Sequence, residues 1–126
     1  MSINIDINHF SKVQNDAVDY ENIAFHVKAA NVLDLGESDK MWTLIKTLIE
    51  GGAKYFVVDM AGLEFIDSSG IGVLINVAKL ARVNKGDIIM MNVSSRIESI
   101  FNPIKLQRFI KIFNTQEEAH RYFQLL

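Results

Sequence analysis

The sequence contains no cysteine, and this absence excludes several kinds of site at once. Disulfides, zinc sites built on thiolates and cysteine nucleophiles all require the missing residue, and its absence fits a reducing cytosol. No apolar run approaches the roughly 20 residues that a membrane-spanning helix needs. The N-terminal residues also lack the basic and apolar regions of a signal peptide. We therefore expect a soluble, cytoplasmic protein with no membrane contact.

The sequence also lacks a strong excess of acidic or basic residues, since the formal net charge of the 126 residues is only -2. Acidic and basic residues are spread along the chain, whereas a nucleic-acid-binding protein should show a basic patch. The apolar fraction of 49% is ordinary for a globular protein and sufficient for a core. The length fits a single domain covering residues 1–126. We expect a monomer that does not bind nucleic acid.

The periodicity of the apolar residues predicts strands that alternate with helices. Two alternating segments, SINIDIN and IAFHVKA, come first, and the polar segment 9–22 separates them. A helix follows, with Ser38 or Asp39 as its predicted cap and Gly51 and Gly52 at its end. Three further strands, YFVVDM, DIIMMNV and FIKIF, alternate with three further helices. This order predicts an α/β fold with a mostly parallel sheet of about five strands and about four helices.

Capping boxes mark the starts of the last two helices. Ser95 with Glu98, and Thr115 with Glu118, have the spacing in which a hydroxyl and a carboxylate satisfy free backbone N–H groups. Pro103 should end or bend the first of these helices, because proline cannot continue a helix.

The aromatic and histidine residues receive structural assignments from their surroundings in the sequence. Four large aromatic residues are predicted to lie in the core, namely Trp42, Phe65, Phe101 and Phe109. His26 is expected on the face of a strand, and His9 and His120 are expected in contact with solvent. None of the three histidines has a catalytic signature around it.

The corner FIDSSGIG, where a buried strand meets a helix, is the most informative stretch. Asp67 is a strong N-cap candidate, since its carboxylate can accept hydrogen bonds from the free N–H groups of the helix. Ser68 and Ser69 would occupy the first turn, and Gly70 and Gly72 would leave the backbone open to close approach. In α/β folds such a corner, at the carboxyl end of a parallel strand, usually carries function.

Four interpretations of this corner compete. A plain helix cap needs no further function. Phosphate binding would need a longer glycine-rich loop, and Asp67 would repel an anion. A serine nucleophile would need the GxSxG pattern, which is absent, and one of the histidines nearby. A serine that is itself phosphorylated by a kinase fits an exposed hydroxyl there, because the positive end of the helix dipole favours phosphate.

A resemblance to a known family adds to these interpretations. The segment VVDMAGLEFIDSSGIGVLI, followed by a helix, a KGD turn, an apolar strand and NVSSRIESIF, resembles the STAS domain. More specifically, it is similar to the bacterial anti-sigma factor antagonists, also called anti-anti-sigma factors. The similarity covers Tyr55 to Phe123, with a weaker match from Ile3 to Gly52. It implies a right-handed βα superhelix that is not an enzyme and needs no cofactor.

The resemblance also implies a role in partner switching, in which reversible protein binding controls transcription. The unphosphorylated form binds an anti-sigma factor that is also an ATP-dependent serine kinase, and so frees the sigma factor. The kinase phosphorylates the serine directly after the aspartate, which is Ser68 here, and binding ends. A metal-dependent serine phosphatase restores the unmodified form. The partner-binding motif implied by the family comprises Asp67, Ser68, Ser69, Gly70, Ile71 and Gly72.

Two features depart from the family pattern. Antagonists usually carry Gly-Glu-Leu/Ile-Asp after the second strand, where this chain has AANVLDLGES. Asp34 matches the family aspartate only if one residue is inserted, so it is either a partner contact or a solvated loop acid or helix cap. The segment 9–22 is also longer than expected. The alternative function is a STAS scaffold or transport-associated subunit that controls no sigma factor.

Overall fold

In the part of the chain that the structure describes, five strands form one sheet in which the spatial order is the same as the chain order. The computed structural model describes residues 3–9 and 23–126, so most of the segment 9–22 lies outside the described residues. The first strand is antiparallel to the second, and all later neighbours are parallel. The strands are β1 (Ile3–His9), β2 (Ile23–Leu33), β3 (Tyr55–Ile66), β4 (Asp87–Met91) and β5 (Ile112–Phe113).

Among the described residues, four α-helices connect and follow these strands, and the predicted α/β fold class is confirmed. They are α1 (Leu35–Glu50), α2 (Ser68–Val83), α3 (Ser95–Phe101) and α4 (Gln116–Gln124). A short 3-10 helix, Leu106–Arg108, precedes β5. The predicted strand FIKIF is therefore shorter than expected, because the chain is still leaving this helix at Phe109.

The helices cover both faces of the sheet and divide the core in two. Helices α1, α2 and α3 pack on one face, where the larger cluster includes Ile45, Leu74 and Phe101. Helix α4 packs on the other face and contributes Ala119 and Phe123 to a smaller cluster. Strands covered on both faces are apolar throughout rather than alternating, and all five residues of β4 are buried.

The cap of α1 differs from the sequence prediction. Asp34 is the N-cap, and its side chain accepts a hydrogen bond from the backbone N–H of Glu37 at 3.0 Å. The prediction of Ser38 or Asp39 is wrong, because the Ser38 N–H already donates to the Asp34 carbonyl within the helix. The predicted C-terminal end is confirmed, with Gly51 as the C-cap.

The two predicted capping boxes have different outcomes. Helix α3 is capped by Ser94, whose hydroxyl accepts from the Ile97 N–H at 3.2 Å, so the prediction of Ser95 is wrong by one residue. Helix α4 is capped by Thr115 as predicted, and its hydroxyl lies 3.2 Å from the Glu118 nitrogen. Two adjacent serines offer the same cap chemistry, so the local pattern leaves the start of α3 open.

The four aromatic residues assigned to the core do not all lie there. Phe101 is fully buried, and Trp42 and Phe109 are partly buried against the larger cluster. Phe65 is exposed, so the prediction of a core position is wrong for this residue. It lies on a part of β3 whose outer face is covered by no helix of the described residues.

His120 is buried, which contradicts the prediction of contact with solvent. It lies on the buried side of α4, and its Nε2 atom is 3.1 Å from Nε2 of His26 on β2. The rings meet edge to face. His26 lies on a strand face, as predicted. The side chain of His9 lies outside the described residues.

Candidate functional site

The corner between β3 and α2 is built around Asp67. This residue has an extended backbone and caps α2, and its Oδ1 accepts from the Gly70 N–H at 3.0 Å. Its own N–H donates to the Leu33 carbonyl at the end of β2, at 3.3 Å. The predicted cap is confirmed. The corner therefore lies at the carboxyl end of two neighbouring parallel strands.

The two serines of the corner differ in accessibility. Ser68, the first residue of α2, is exposed, and Ser69 is half-buried. The first turn of α2 carries no acidic residue of its own. Free backbone N–H groups there form the positive end of the helix dipole. An enzyme can therefore reach Ser68, and a phosphate on its hydroxyl would lie close to positive partial charge.

The two glycines of the corner lie in different surroundings. A Cβ atom at Gly70 would lie 2.4 Å from the Leu33 carbonyl oxygen and 2.6 Å from Cγ1 of Ile66. Gly70 is buried and lets α2 pack closely against the strand ends. A Cβ atom at Gly72 would meet nothing within 4 Å. The expectation of an open backbone therefore holds at Gly72 and is wrong at Gly70.

Asp34 lies close to this corner through the end of β2. It follows Leu33, whose carbonyl accepts the hydrogen bond from Asp67, and it is exposed. Asp34 and Asp67 thus cap two helices that start from neighbouring strand ends. Of the alternatives for Asp34, the structure shows the helix cap. Ile71, the remaining motif residue, is partly buried against the larger cluster.

A cleft of about 340 Å³ opens between α1 and α2 beside the corner. Its walls are helix side chains and bare helix backbone, whereas a nucleotide-binding loop would present a row of free amides. No sequence pattern indicated the cleft, because it forms where two helices far apart in the chain pack together. It is lined by Leu35, Ser38, Asp39, Trp42, Ser69, Gly72, Val73 and Asn76.

The histidines do not form a catalytic group with the corner. His26 and His120 lie on the α4 face, and Leu33 is seven residues further along β2, roughly 23 Å away. The backbone of His9 pairs with Ile23, at the opposite end of β2. Burial, followed by the charge of the neighbouring His26, lowers the pKa of His120 to about 4. A hydrolase using Ser68 would need a histidine within hydrogen-bond reach.

The part of the chain that the structure describes contains neither a metal-binding cluster nor a membrane-spanning helix. Within residues 3–9 and 23–126, no group of three or more histidine, aspartate or glutamate residues could hold a metal ion. In the same ranges, no helix is long and apolar enough to cross a membrane. The corner at Asp67 remains the leading candidate site.

Comparison with known proteins identifies relatives by sequence. The sequence model of the STAS domain family matches residues 13–119. A Thermotoga maritima protein, provisionally named an anti-sigma factor antagonist, is 30% identical over 80 residues, which are 64% of this chain and 70% of that protein.

Solved structures share the fold at low sequence identity. The unphosphorylated form of the anti-sigma factor antagonist SpoIIAA has a TM-score of 0.70 and 21% identity, covering 82% of this chain and 90% of that chain. The phosphorylated form of SpoIIAA from Bacillus has a TM-score of 0.63 and 22% identity, covering 85% and 95%. A sulfate transporter family protein from Wolinella succinogenes has a TM-score of 0.69 and 18% identity, covering 81% and 85%. At these identities the structures establish a shared fold.

Proposed function

The chain belongs to the STAS domain family, and on this premise we propose that it is an anti-sigma factor antagonist controlled by phosphorylation of Ser68. The observation that carries the proposal is the exposed hydroxyl of Ser68, directly after the aspartate that caps α2. The curated relatives named as anti-sigma factor antagonists support the general role. A relative solved in a phosphorylated form supports control by phosphorylation.

The proposed partners follow from the family resemblance. The unmodified protein binds an anti-sigma factor that is also an ATP-dependent serine kinase, and the sigma factor is released. In the kinase step, the Ser68 oxygen forms a bond to the γ-phosphorus of ATP and loses its proton to a base. The bond between that phosphorus and ADP breaks. A metal-dependent serine phosphatase later hydrolyses the phosphate ester and restores the unmodified protein. The protein acts as a single domain throughout this cycle.

Phosphorylation can change binding without unfolding the domain. The phosphate adds a charge of about -1.5 to -2 at neutral pH. The N-terminal end of α2 stabilises that charge, and the neighbouring carboxylate of Asp67 partly opposes this stabilisation. Against a closely fitting partner, the phosphate adds bulk and a desolvation cost. A weakening of about 3 kcal/mol would lower the affinity on the order of a hundredfold.

The partner is expected to contact the exposed part of the corner. Asp67 and Gly72 border Ser68 and leave its approach open, and Asp34 extends the same surface from the start of α1. Gly70 is buried and Ile71 half-buried, so these two residues set the position of α2 and contribute less to the contact.

The decisive test is mass spectrometry of the intact protein and its peptides, purified from its native cells. Ser68→Ala removes the proposed acceptor, and Ser69→Ala is the matched control one residue away. We expect a single phosphate on the wild type and on the Ser69 variant, and none on the Ser68 variant. A protein that carries no phosphate under any growth condition, with normal behaviour of Ser68→Ala cells, would refute the switch.

A second candidate function is that of a STAS domain in a transport or scaffold assembly. A sulfate transporter family protein shares the fold, which favours this alternative. A lipid-transport STAS subunit needs no acceptor serine. The same mass spectrometry therefore separates the two functions, because only the first requires a phosphate on Ser68.

A further inference from the structure

Within the described residues, strands β2 and β3 extend beyond the rest of the sheet at the end that carries the corner. The pairing of β3 with β4 ends at Asp59, and the pairing of β2 with β1 ends at Ala29. Pairing between β2 and β3 continues to Leu33 and Ile66. We call residues 30–33 and 62–66 the corner ribbon.

The two faces of the corner ribbon differ in burial. Leu33, Leu63 and Ile66 are buried and belong to the larger cluster. Val32 and Phe65 are paired in register on the opposite side, and 39% and 47% of their surfaces are exposed. Single exposed apolar residues are ordinary on protein surfaces. Two that pair across adjacent strands make a local apolar surface, and such surfaces commonly mark interaction sites.

The chain around this apolar pair carries charge of one sign. Residues 29–39 and 55–78 contain six acidic residues and no lysine, arginine or histidine, and one of the six, Glu37, pairs with Lys40 at 3.1 Å. Three of these acids, Asp34, Glu64 and Asp67, lie within two residues of Val32 or Phe65 in the sequence. We call these three flanking acids the acidic rim of the apolar pair. A second copy of this chain would bring two such rims together, and like charges oppose that contact.

We infer that Val32 and Phe65 form an apolar docking surface for the kinase that phosphorylates Ser68. The inference rests on the proposed function and names the contact that its partner makes. Phe65 precedes Ser68 by three residues, so a protein that encloses the serine must also lie close to the end of the corner ribbon. The partner is expected to present an apolar hollow with a rim of lysine or arginine. Burial of these two side chains would anchor the complex.

The test measures phosphate transfer to Ser68 by its kinase, purified from the native cells by following that activity. Initial rates are compared for the wild type, Val32→Ser, Phe65→Ser and the double variant. Val83→Ser is the matched control, since Val83 is 80% exposed at the far end of α2. Thermal unfolding of each variant shows that the domain remains folded.

We expect the KM for the protein substrate to rise roughly tenfold or more in Phe65→Ser, with kcat nearly unchanged, because hot-spot side chains act through binding. Val83→Ser should match the wild type. Equal KM values in folded ribbon variants would overturn the docking surface and leave the proposed function standing. No phosphate on wild-type Ser68 would overturn both. A dimer of the wild type that Phe65→Ser dissociates in sedimentation would assign the surface to self-association and also overturn the inference.

Discussion

The two ends of α2 place an aspartate in opposite situations. At the N-terminal end, Asp67 makes one capping hydrogen bond beside the exposed Ser68. Just beyond the C-terminal end, Asp87 is buried and accepts from Arg82 Nε at 2.9 Å and from the Tyr122 hydroxyl at 2.5 Å. We call the N-terminal end of α2 the open end, because Ser68 is exposed there. We call the C-terminal end the closed end, because Asp87 joins α2, β4 and α4 there. The surface chemistry of the corner can therefore change, as the proposed phosphorylation of Ser68 would change it, while contacts at the other end of α2 hold the fold together.

The closed end is reinforced by contacts around Arg82. Its guanidinium donates to the Phe109 carbonyl and lies over the Phe109 ring, 4.5 Å from the centroid. Burial, followed by the hydrogen bond to Asp87, raises the pKa of Tyr122 to about 12. The phenol therefore remains protonated at neutral pH and keeps donating to Asp87.

The largest effect should come from breaking the closed end. Asp87→Ala is expected to lower the free energy of unfolding by about 3 kcal/mol, because it leaves Arg82 and the Tyr122 hydroxyl without their buried acceptor. Denaturant unfolding measures the loss. Glu50→Ala is the control, since its pair with Lys46 is exposed and should contribute little. Equal losses in the two variants would contradict the comparison.

The glycines test the packing beneath the open end. Gly70→Ala is expected to destabilise the protein by about 2 kcal/mol, because the new methyl group would collide with the Leu33 carbonyl and the Ile66 side chain. Gly72→Ala has open space and should stabilise the helix by about 0.5 to 1 kcal/mol. Thermal unfolding of the two variants measures whether each substitution lowers or raises the stability. Similar destabilisation in both variants would show that the first turn of α2 is packed throughout.

Acid should weaken the packing of α4 through His120. His120 has a lowered folded pKa, so its contribution is complete above the unfolded value of 6.5 and is lost as pH falls toward about 4. The loss is expected to be about 1 to 2 kcal/mol, since partial hydration reduces the full value that the shift implies. Unfolding at pH 7 and pH 4.5 measures it. A His120→Gln variant with the same pH dependence as the wild type would exclude this residue as the cause.

The smallest loss of stability should come from removing the cap at the open end. Asp67→Ala is expected to cost about 1 kcal/mol, because it removes one acceptor from the free N–H groups of α2. Asp67→Asn should stay near the wild type, since asparagine caps equally well. Denaturant unfolding compares the two variants. A loss for Asp67→Ala as large as that for Asp87→Ala would remove the difference between the two ends.

The corner itself was largely predictable from local sequence. The strand, the cap at Asp67 and the exposed Ser68 follow from a pattern of a few consecutive residues, since a capping bond spans only three positions. Prediction from the same local chemistry was wrong where two neighbouring residues could both cap a helix. Ser94 and Ser95 both suit a cap, and only the backbone path of the folded chain selects Ser94. The sequence also left the role of Asp34 open between a partner contact and a solvated loop acid or helix cap. Only the end of β2 places it at the start of α1 as the cap.

The sequence by itself determined the order of the elements, the fold class and the corner, because periodicity and caps act over short distances along the chain. Only the tertiary structure decided which side chains are covered. Phe65 is exposed because β2 and β3 extend beyond the described parts of their neighbouring strands. His120 is buried because α4 packs over His26, which is 94 residues away in the chain. Asp87 meets Tyr122 in the same way, across 35 residues. Burial depends on which surfaces meet in space, and no local pattern specifies that.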